Sequence, residues 1–295
     1  MSKLKKIGVF FGLFAAVFIY LCLKEPSTLL QFRTCQDEYH WWAFCDSSRE
    51  GLDTLNISGS GVIHLNALKK SLGSVKNLAD NVVIVNLSIN DQYYADGRPF
   101  RWYNWYLQDQ DQKLIHAPYR SCKNIHRVKD NIKWFLRRNY YHQSPPEIIE
   151  SEGEMIKRLG YGFKSFHIVR RQLYKPHMID EFVEFIDQLP AGTHLHFHCD
   201  GGNSRTTTLM TMVDIIKNGT MVSLNTIIER QRGIGGVNLY DTKPYLGGTW
   251  KPNLLEARLQ MVEDFYRYVN DPNGYGHCKW SEWLEKQPAT YLDLL

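Results

Sequence analysis

The hydrophobic pattern of this chain changes period near residue 200. Thr193-His194-Leu195-His196-Phe197-His198 alternates polar and apolar positions, the two-residue repeat of a strand near a sheet centre. From Thr206 to Gly219 the apolar positions Leu209, Met212, Val213 and Ile216 follow helical spacing, and Asn218-Gly219 supplies a C-terminal stop. The loop between these elements therefore ends at a helix N-terminus. Elsewhere, Val82 to Leu87 reads as a core strand. Asp96-Gly97-Arg98-Pro99 reads as a turn between strand-like Gln92-Tyr93-Tyr94 and Phe100-Arg101-Trp102-Tyr103. Asp180 to Ile186 begins as a solvated helix, and residues 254–270 form an amphipathic helix with Leu255, Leu259, Met261, Val262, Phe265 and Val269 largely on one side.

The loop carries the chemistry. It reads His198-Cys199-Asp200-Gly201-Gly202-Asn203-Ser204-Arg205-Thr206. Free backbone N–H groups and the positive end of the dipole at a helix start favour an anion. Gly201 and Gly202 let the backbone curl so that successive N–H groups point inward as a nest. Arg205 adds a bidentate grip on two phosphate oxygens. A thiol with pKa ~8.5 is lowered by the same field, which makes Cys199 a nucleophile facing a bound phosphorus. Thr206 offers a hydroxyl to the sulfur, and His198 orients the loop from behind. A buried core thiol at a strand end is the plainer reading of a lone cysteine. The arginine, the two glycines and the strand-loop-helix context together favour a phosphate loop. No Gly-Lys-Ser/Thr follows the glycines, which excludes a Walker-type loop.

These residues resemble the Cys-x5-Arg loop of the cysteine-based protein tyrosine phosphatase superfamily. The flanks resemble its bacterial tyrosine-phosphatase-like phytase branch, the inositol polyphosphate phosphatases. Leu55-Asn56-Ile57-Ser58-Gly59-Ser60 is similar to that branch's early Ser-Gly-Ser segment, and Val82 to Leu87 to its first core strand. Ser151 to Ile156 leads into Phe166-His167-Ile168 as the branch's helix leads into its acid-loop strand. Ile227 to Gly236 is similar to the segment that carries a water-positioning glutamine, here Gln231. The resemblance covers roughly residues 50 to 265. It implies an α/β protein tyrosine phosphatase fold, a central mixed sheet flanked by helices, with a small added subdomain or insertion. It also implies phosphomonoester hydrolysis through a phosphocysteine on Cys199. Arg205 and loop residues His198, Asp200, Gly201, Gly202, Asn203 and Ser204 hold the phosphoryl group, and Arg171 and Lys175 lie at the site mouth. The implied substrates are inositol polyphosphates, with phosphoprotein as the alternative, and no cofactor or metal is needed.

The chain departs from this pattern at three places. Its ungapped alignment puts Gln172 where the branch has the aspartic acid that protonates the leaving group. A glutamine has no proton to give, and losing a general acid removes ~10²–10⁴-fold in rate. This opens a third reading, a weakly active or inactive phosphate-binding pseudophosphatase. His167, Asp180 and Asp241 are the nearest substitute acids by sequence. The strand end near Asn86-Leu87-Ser88-Ile89-Asn90-Asp91 lacks, up to Asp91, the charged residues common there in the branch, and Asn203-Ser204 stands where the branch has a small residue and glycine.

Whole-chain properties refine this picture. The 295 residues are 43% hydrophobic and 22% charged, enough for one large α/β domain or one domain with a small addition. A net charge of +4 does not argue for nucleic acid. Lys129, Lys133, Arg137 and Arg138 read first as a solvated helix face, while Arg170, Arg171, Lys175, Arg230 and Arg232 suggest a cationic rim. Lys3, Lys5 and Lys6 precede an uncharged apolar run over residues 7–23 without a clear cleavage site. That is the pattern of an uncleaved signal-anchor or an atypical signal peptide, so the domain is expected to be exported or anchored in the membrane. A buried globular helix is the plainer alternative. Of the six cysteines, Cys35 with Cys45 and Cys122 with Cys278 are possible disulfides, with free thiols the alternative. The chain thus divides into a targeting segment at 1–24, a linker at 25–50, a catalytic domain at 51–270 with an insertion near 104–145, and a tail at 271–295.

Overall fold

From His194 to His198 the odd positions are apolar and the even ones histidine, and the strand they form is buried on both faces. It lies at the centre of a five-stranded sheet. The computed structural model describes residues 28–76, 78–89, 92–100, 147–169, 172–243, 252–288 and 290–294. Its strands are β1 (Arg33–Thr34), β2 (Ile57–Ser60), β3 (Val82–Asn86), β4 (Tyr93–Ala95), β5 (Arg98–Phe100), β6 (Ile149–Ser151), β7 (Gly162–Ser165) and β8 (His194–His198). Its helices are α1 (Leu65–Gly73), α2 (Glu152–Arg158), α3 (Pro176–Asp187), α4 (Ser204–Asn218), α5 (Leu224–Gly233), α6 (Pro252–Asn270) and α7 (Trp280–Leu284). The main sheet runs β1-β2-β8-β3-β7, parallel except for the antiparallel edge strand β1. A small antiparallel sheet, β5-β4-β6, stands apart from it. The architecture is the α/β fold with a central mixed sheet that the resemblance implies.

Register sorts the two faces of the main sheet. Ile84 pairs with His196 and Val85 with Phe197. Leu195, Phe197, Val85 and Leu87 enter the larger core with α3, α4, α5 and α6, whereas Val82 and Ile84 face the smaller core with α1 and α2. The histidines of β8 share that second face, where serines of β2 satisfy His194 and His196. Ser58 Oγ lies 2.8 Å from both His194 Nε2 and His196 Nδ1, and Ser60 Oγ lies 2.9 Å from His196 Nε2. Buried polar groups are tolerated because each finds such a partner. Burial lowers the His194 pKa to about 4 and holds His196 well below its usual value, with His198, His194 and Arg33 adding to the effect at His196. Between pH 6.5 and 4 the unfolded chain therefore binds more protons than the folded one, so stability present at neutral pH is lost as pH falls through that window. The urea midpoint is expected to drop steadily from pH 7 to pH 5. A flat profile over that range would rule the effect out.

Two assigned regions change. Residues 28–50 are not a linker: β1 pairs with β2, Cys35 and Ala43 are fully buried, and Arg33 donates to Gly202 O in the loop after β8. Residues 271–288 and 290–294 are not a loose tail. Trp280 and Tyr291 are fully buried, Tyr291 OH donates to Tyr174 O at 2.9 Å, and Ser281 N donates to Asp180 Oδ1 at 2.9 Å. Both segments carry apolar area that only packing against distant elements removes from water. The hairpin turn is tighter than its four-residue signal suggested. Only Asp96 (φ 50) and Gly97 (φ 74) lie between β4 and β5, the two left-handed residues of a type I′ turn. The segment at 104–145 lies outside the described residues. So do the run at 7–23, the basic run from Lys129 to Arg138, Arg170, and cysteines 22 and 122. Among the described residues no helix is long and apolar enough to cross a membrane.

Candidate active site

Cys199 sits where β8 ends, and the backbone turns through Gly202 into α4. Gly202 takes φ +68, and a Cβ there would lie 2.5 Å from Gly61 N, so both the conformation and the close approach exclude a side chain. Gly59 serves the same packing from below, because a Cβ there would lie 2.6 Å from Thr206 Cγ2 and 2.5 Å from Met210 Sδ. This is the physical role of the Ser-Gly-Ser segment: β2 passes directly beneath the loop and the first turns of α4.

At the floor of the loop Cys199 is 3% exposed, and Thr206 Oγ1 donates to its Sγ at 3.2 Å. Arg205 folds back under the loop. Its Nη1 donates to Leu87 O at 2.8 Å and Ile168 O at 3.1 Å, and its Nη2 pairs with Asp200 Oδ2 at 3.1 Å. Burial opposes the Arg205 charge, but Cys199 and Asp200 outweigh it and hold the pKa above the ordinary arginine value. Ser204 Oγ accepts from Arg258 Nη1 at 3.0 Å, and Asn203 is the exposed N-cap residue of α4. His198 is fully buried behind the loop, its Nε2 2.9 Å from Glu152 Oε1 though off the axis of a hydrogen bond.

Three cationic or carboxylate residues here carry no sequence signal. Arg33 is 2% exposed and donates to Gly202 O at 2.8 Å and Thr207 Oγ1 at 3.0 Å, tying the loop to α4. Burial lowers its pKa to about 10 against the pull of Cys199. Arg258 on α6 is 7% exposed, and burial lowers its pKa too. Glu152 at the start of α2 is buried and accepts from Asn86 Nδ2 at 2.7 Å. Each lies far from the loop in sequence, so no local spacing announces it.

Several predicted site residues lie elsewhere or do other work. Gln231, expected to position the hydrolytic water, is 1% exposed and donates to Asp214 Oδ2 at 3.0 Å, because its face of α5 packs against α4. Arg230 is fully buried on the same carboxylate, and Arg232 pairs with Glu229, so neither forms a free cationic rim. Asp200, expected on the substrate, is the ion-pair partner of Arg205. Of the three substitute acids, Asp180 accepts from Ser281 N of α7 and the exposed Asp241 accepts from Lys243 N. Gln172, His167 and Lys175 are exposed, and Arg171 lies outside the described residues. Phe166-His167-Ile168 follows strand β7 rather than forming it. Cys35, Cys45 and Cys278 are free thiols, and Cys45 Sγ donates to Glu229 O at 3.4 Å. Among the described residues no three His, Cys, Asp or Glu side chains are grouped to hold a metal ion.

The fold and this loop have known counterparts. Residues 166–217, which span the loop and α4, match the family model described as PTP-like phytase, inositol hexakisphosphate. Effector protein hopD2 of Pseudomonas syringae pv. tomato is 33% identical over 143 residues, 47% of this chain and 30% of the relative. The uncharacterized protein AvrBs1.1 of Xanthomonas campestris pv. campestris is 35% identical over 92 residues, 31% of this chain and 88% of the relative. Among solved structures, the tandemly repeated protein tyrosine phosphatase like phytase from Mitsuokella multacida superposes with TM-score 0.67 at 25% identity, covering 88% of this chain and 47% of that one. The PTP-like myo-inositol phosphatase from the same organism, in complex with myo-inositol-(1,3,4,5)-tetrakisphosphate, gives TM-score 0.65 at 25% identity, covering 90% and 48%. This chain belongs to the protein-tyrosine-phosphatase-like phytase family. It spans under half the length of hopD2 and of the two Mitsuokella chains.

Proposed function

We propose that this chain is a cysteine-dependent phosphomonoester hydrolase acting on inositol polyphosphates. The contact of Thr206 Oγ1 with Cys199 Sγ, at the floor of a loop closed by Arg205, carries this reading. The Mitsuokella complex with an inositol tetrakisphosphate supports the substrate class. In the first step the Cys199 thiolate attacks phosphorus, an S–P bond forms, the ester P–O bond breaks and the leaving oxygen takes a proton. In the second, water attacks phosphorus, the S–P bond breaks and inorganic phosphate leaves, while the Thr206 hydroxyl stabilises the departing thiolate. Arg205 and the loop N–H groups carry the transition-state charge, the main task in phosphoryl transfer. The basic start and the apolar run at 7–23 support export or membrane anchoring of this domain.

The exposed Gln172 favours a second reading. An alkoxide leaves poorly without a proton, whereas a phenolate leaves without one, so a chain lacking the acid suits phosphotyrosine in protein better than an inositol phosphate. Phosphate release from inositol hexakisphosphate and from a phosphotyrosine peptide, with Cys199→Ser as control, separates the two. Binding of both without release identifies a pseudophosphatase, and equal release by Cys199→Ser would sink the cysteine mechanism. Gln172→Asp is expected to raise turnover of poor leaving groups about tenfold or more, because general acids contribute ~10²–10⁴-fold. No gain on alkyl phosphates means that Gln172 does not occupy the acid position.

A further inference from the structure

The phosphate loop contains its own carboxylate, and its geometry suggests a purpose. Resting on the reading of Arg205 as the phosphate clamp, we propose that Asp200 is the positioning residue that sets the Arg205 fork. In this chain it does the work for which the end of β3 lacks a charge. Three acceptors from three segments fix the guanidinium: Leu87 O, Ile168 O and Asp200 Oδ2. The first two are carbonyls on one nitrogen, Nη1. Asp200 alone of the three holds Nη2, and an arginine held at both terminal nitrogens presents its remaining N–H groups in a defined direction.

The carboxylate is braced in turn. Ser88 Oγ reaches Asp200 Oδ1 at 3.5 Å, Ser88 N donates to Asn86 Oδ1 at 2.7 Å, and Asn86 Nδ2 donates to the buried Glu152 at 2.7 Å. This polar chain runs from the start of α2 through the end of β3 to the loop. It passes through Asn86-Leu87-Ser88, where the family resemblance leads one to expect charged residues and this chain has none. The ion pair is partly exposed, with 10% of the Arg205 side chain and 22% of the Asp200 side chain accessible, so its worth lies in direction more than in charge attraction. A fork fixed before the ligand arrives avoids the ordering cost of binding.

The opposite expectation is also physical: a carboxylate beside a phosphate site repels the anion, so removing it would tighten binding. Asp200→Ala, Asp200→Asn and wild type distinguish the two. Readouts are dissociation constants for inorganic phosphate and for vanadate, turnover of an aryl phosphate, and the thermal midpoint. If Asp200 positions Arg205, Asp200→Ala lowers kcat about ten- to a hundredfold with KM little changed, the signature of an interaction made mainly in the transition state. It also weakens vanadate, the pentacoordinate mimic, more than phosphate. Asp200→Asn, which keeps an acceptor oxygen, recovers most of both. Equal or tighter vanadate binding by Asp200→Ala overturns the proposal, as does a loss of activity matched by a fall in thermal midpoint and by equal losses for the two oxyanions. If wild type binds oxyanions but does not turn over, the hydrolase reading fails while the binding arm still decides the role of Asp200. A wild type that binds neither oxyanion sinks both.

Discussion

Cys199→Ser is expected to reduce phosphate release to background, because an alcohol is a far weaker acid than a thiol and a protonated hydroxyl is a poor nucleophile. Removing the nucleophile of a covalent enzyme costs on the order of 10⁶-fold. The fold should survive, since serine is close in size to cysteine and Thr206 Oγ1 can donate to the hydroxyl as it does to Sγ. Oxyanion binding should survive too, because the groups that hold the anion are the loop N–H groups and Arg205, whose carbonyl and Asp200 contacts do not involve Cys199. The measurement is phosphate release beside inorganic phosphate binding on the same sample. Turnover within tenfold of wild type would show that another residue forms the covalent bond or that none does.

Asp214→Ala is expected to be the most damaging change outside the loop. Asp214 is fully buried on α4, with Arg230 Nε 2.9 Å from its Oδ2 and Arg230 Nη2 on Oδ1. Gln231 Nε2 and Asn218 Nδ2 donate to the same carboxylate at 3.0 and 2.9 Å. Truncation leaves the Arg230 guanidinium buried and unpaired, and breaking one side of a buried pair costs about 3–5 kcal/mol. For a domain of this size that corresponds to a fall of roughly 10 °C in thermal midpoint. Calorimetry on wild type and Asp214→Ala checks it. Asp214→Asn is expected to fall between the two, because it keeps an acceptor for Arg230. A midpoint within two or three degrees of wild type, about 1 kcal/mol, would mean that water reaches and solvates the freed arginine.

The loop between β8 and α4 was legible because its parts are contiguous. A strand period, two glycines and a helix period read in order locate the turn into α4, and Cys199, Arg205 and Thr206 lie within it. The structure places all three together, with observed boundaries within two residues of the predicted helix start. Gln231 was less legible. Its segment was picked out only by resemblance; the side of α5 that meets α4 is set by packing, and packing turns this side chain to Asp214. Arg33 was not legible at all. Nothing in Leu30-Gln31-Phe32-Arg33 distinguishes a surface arginine from one that enters the core to hold Gly202, 169 residues away. The linker and tail failed similarly, because short aromatic-rich segments have no period of their own and become elements only where a partner surface exists.

By itself the sequence determined the strand, loop and helix around Cys199 and the identity of the residues at the loop floor. Those depend on covalent proximity and on backbone preferences that act over a few residues. Only the tertiary structure decided which charges serve the loop and which serve the core. Arg205, Arg33, Arg258 and Arg230 are all buried arginines, yet they are separated by what lies across from them: a loop carboxylate, a loop carbonyl, a loop hydroxyl and an internal aspartate. A charge taken out of water must find its partner in space, and that partner is chosen by the packing of helices and sheet rather than by its neighbours along the chain.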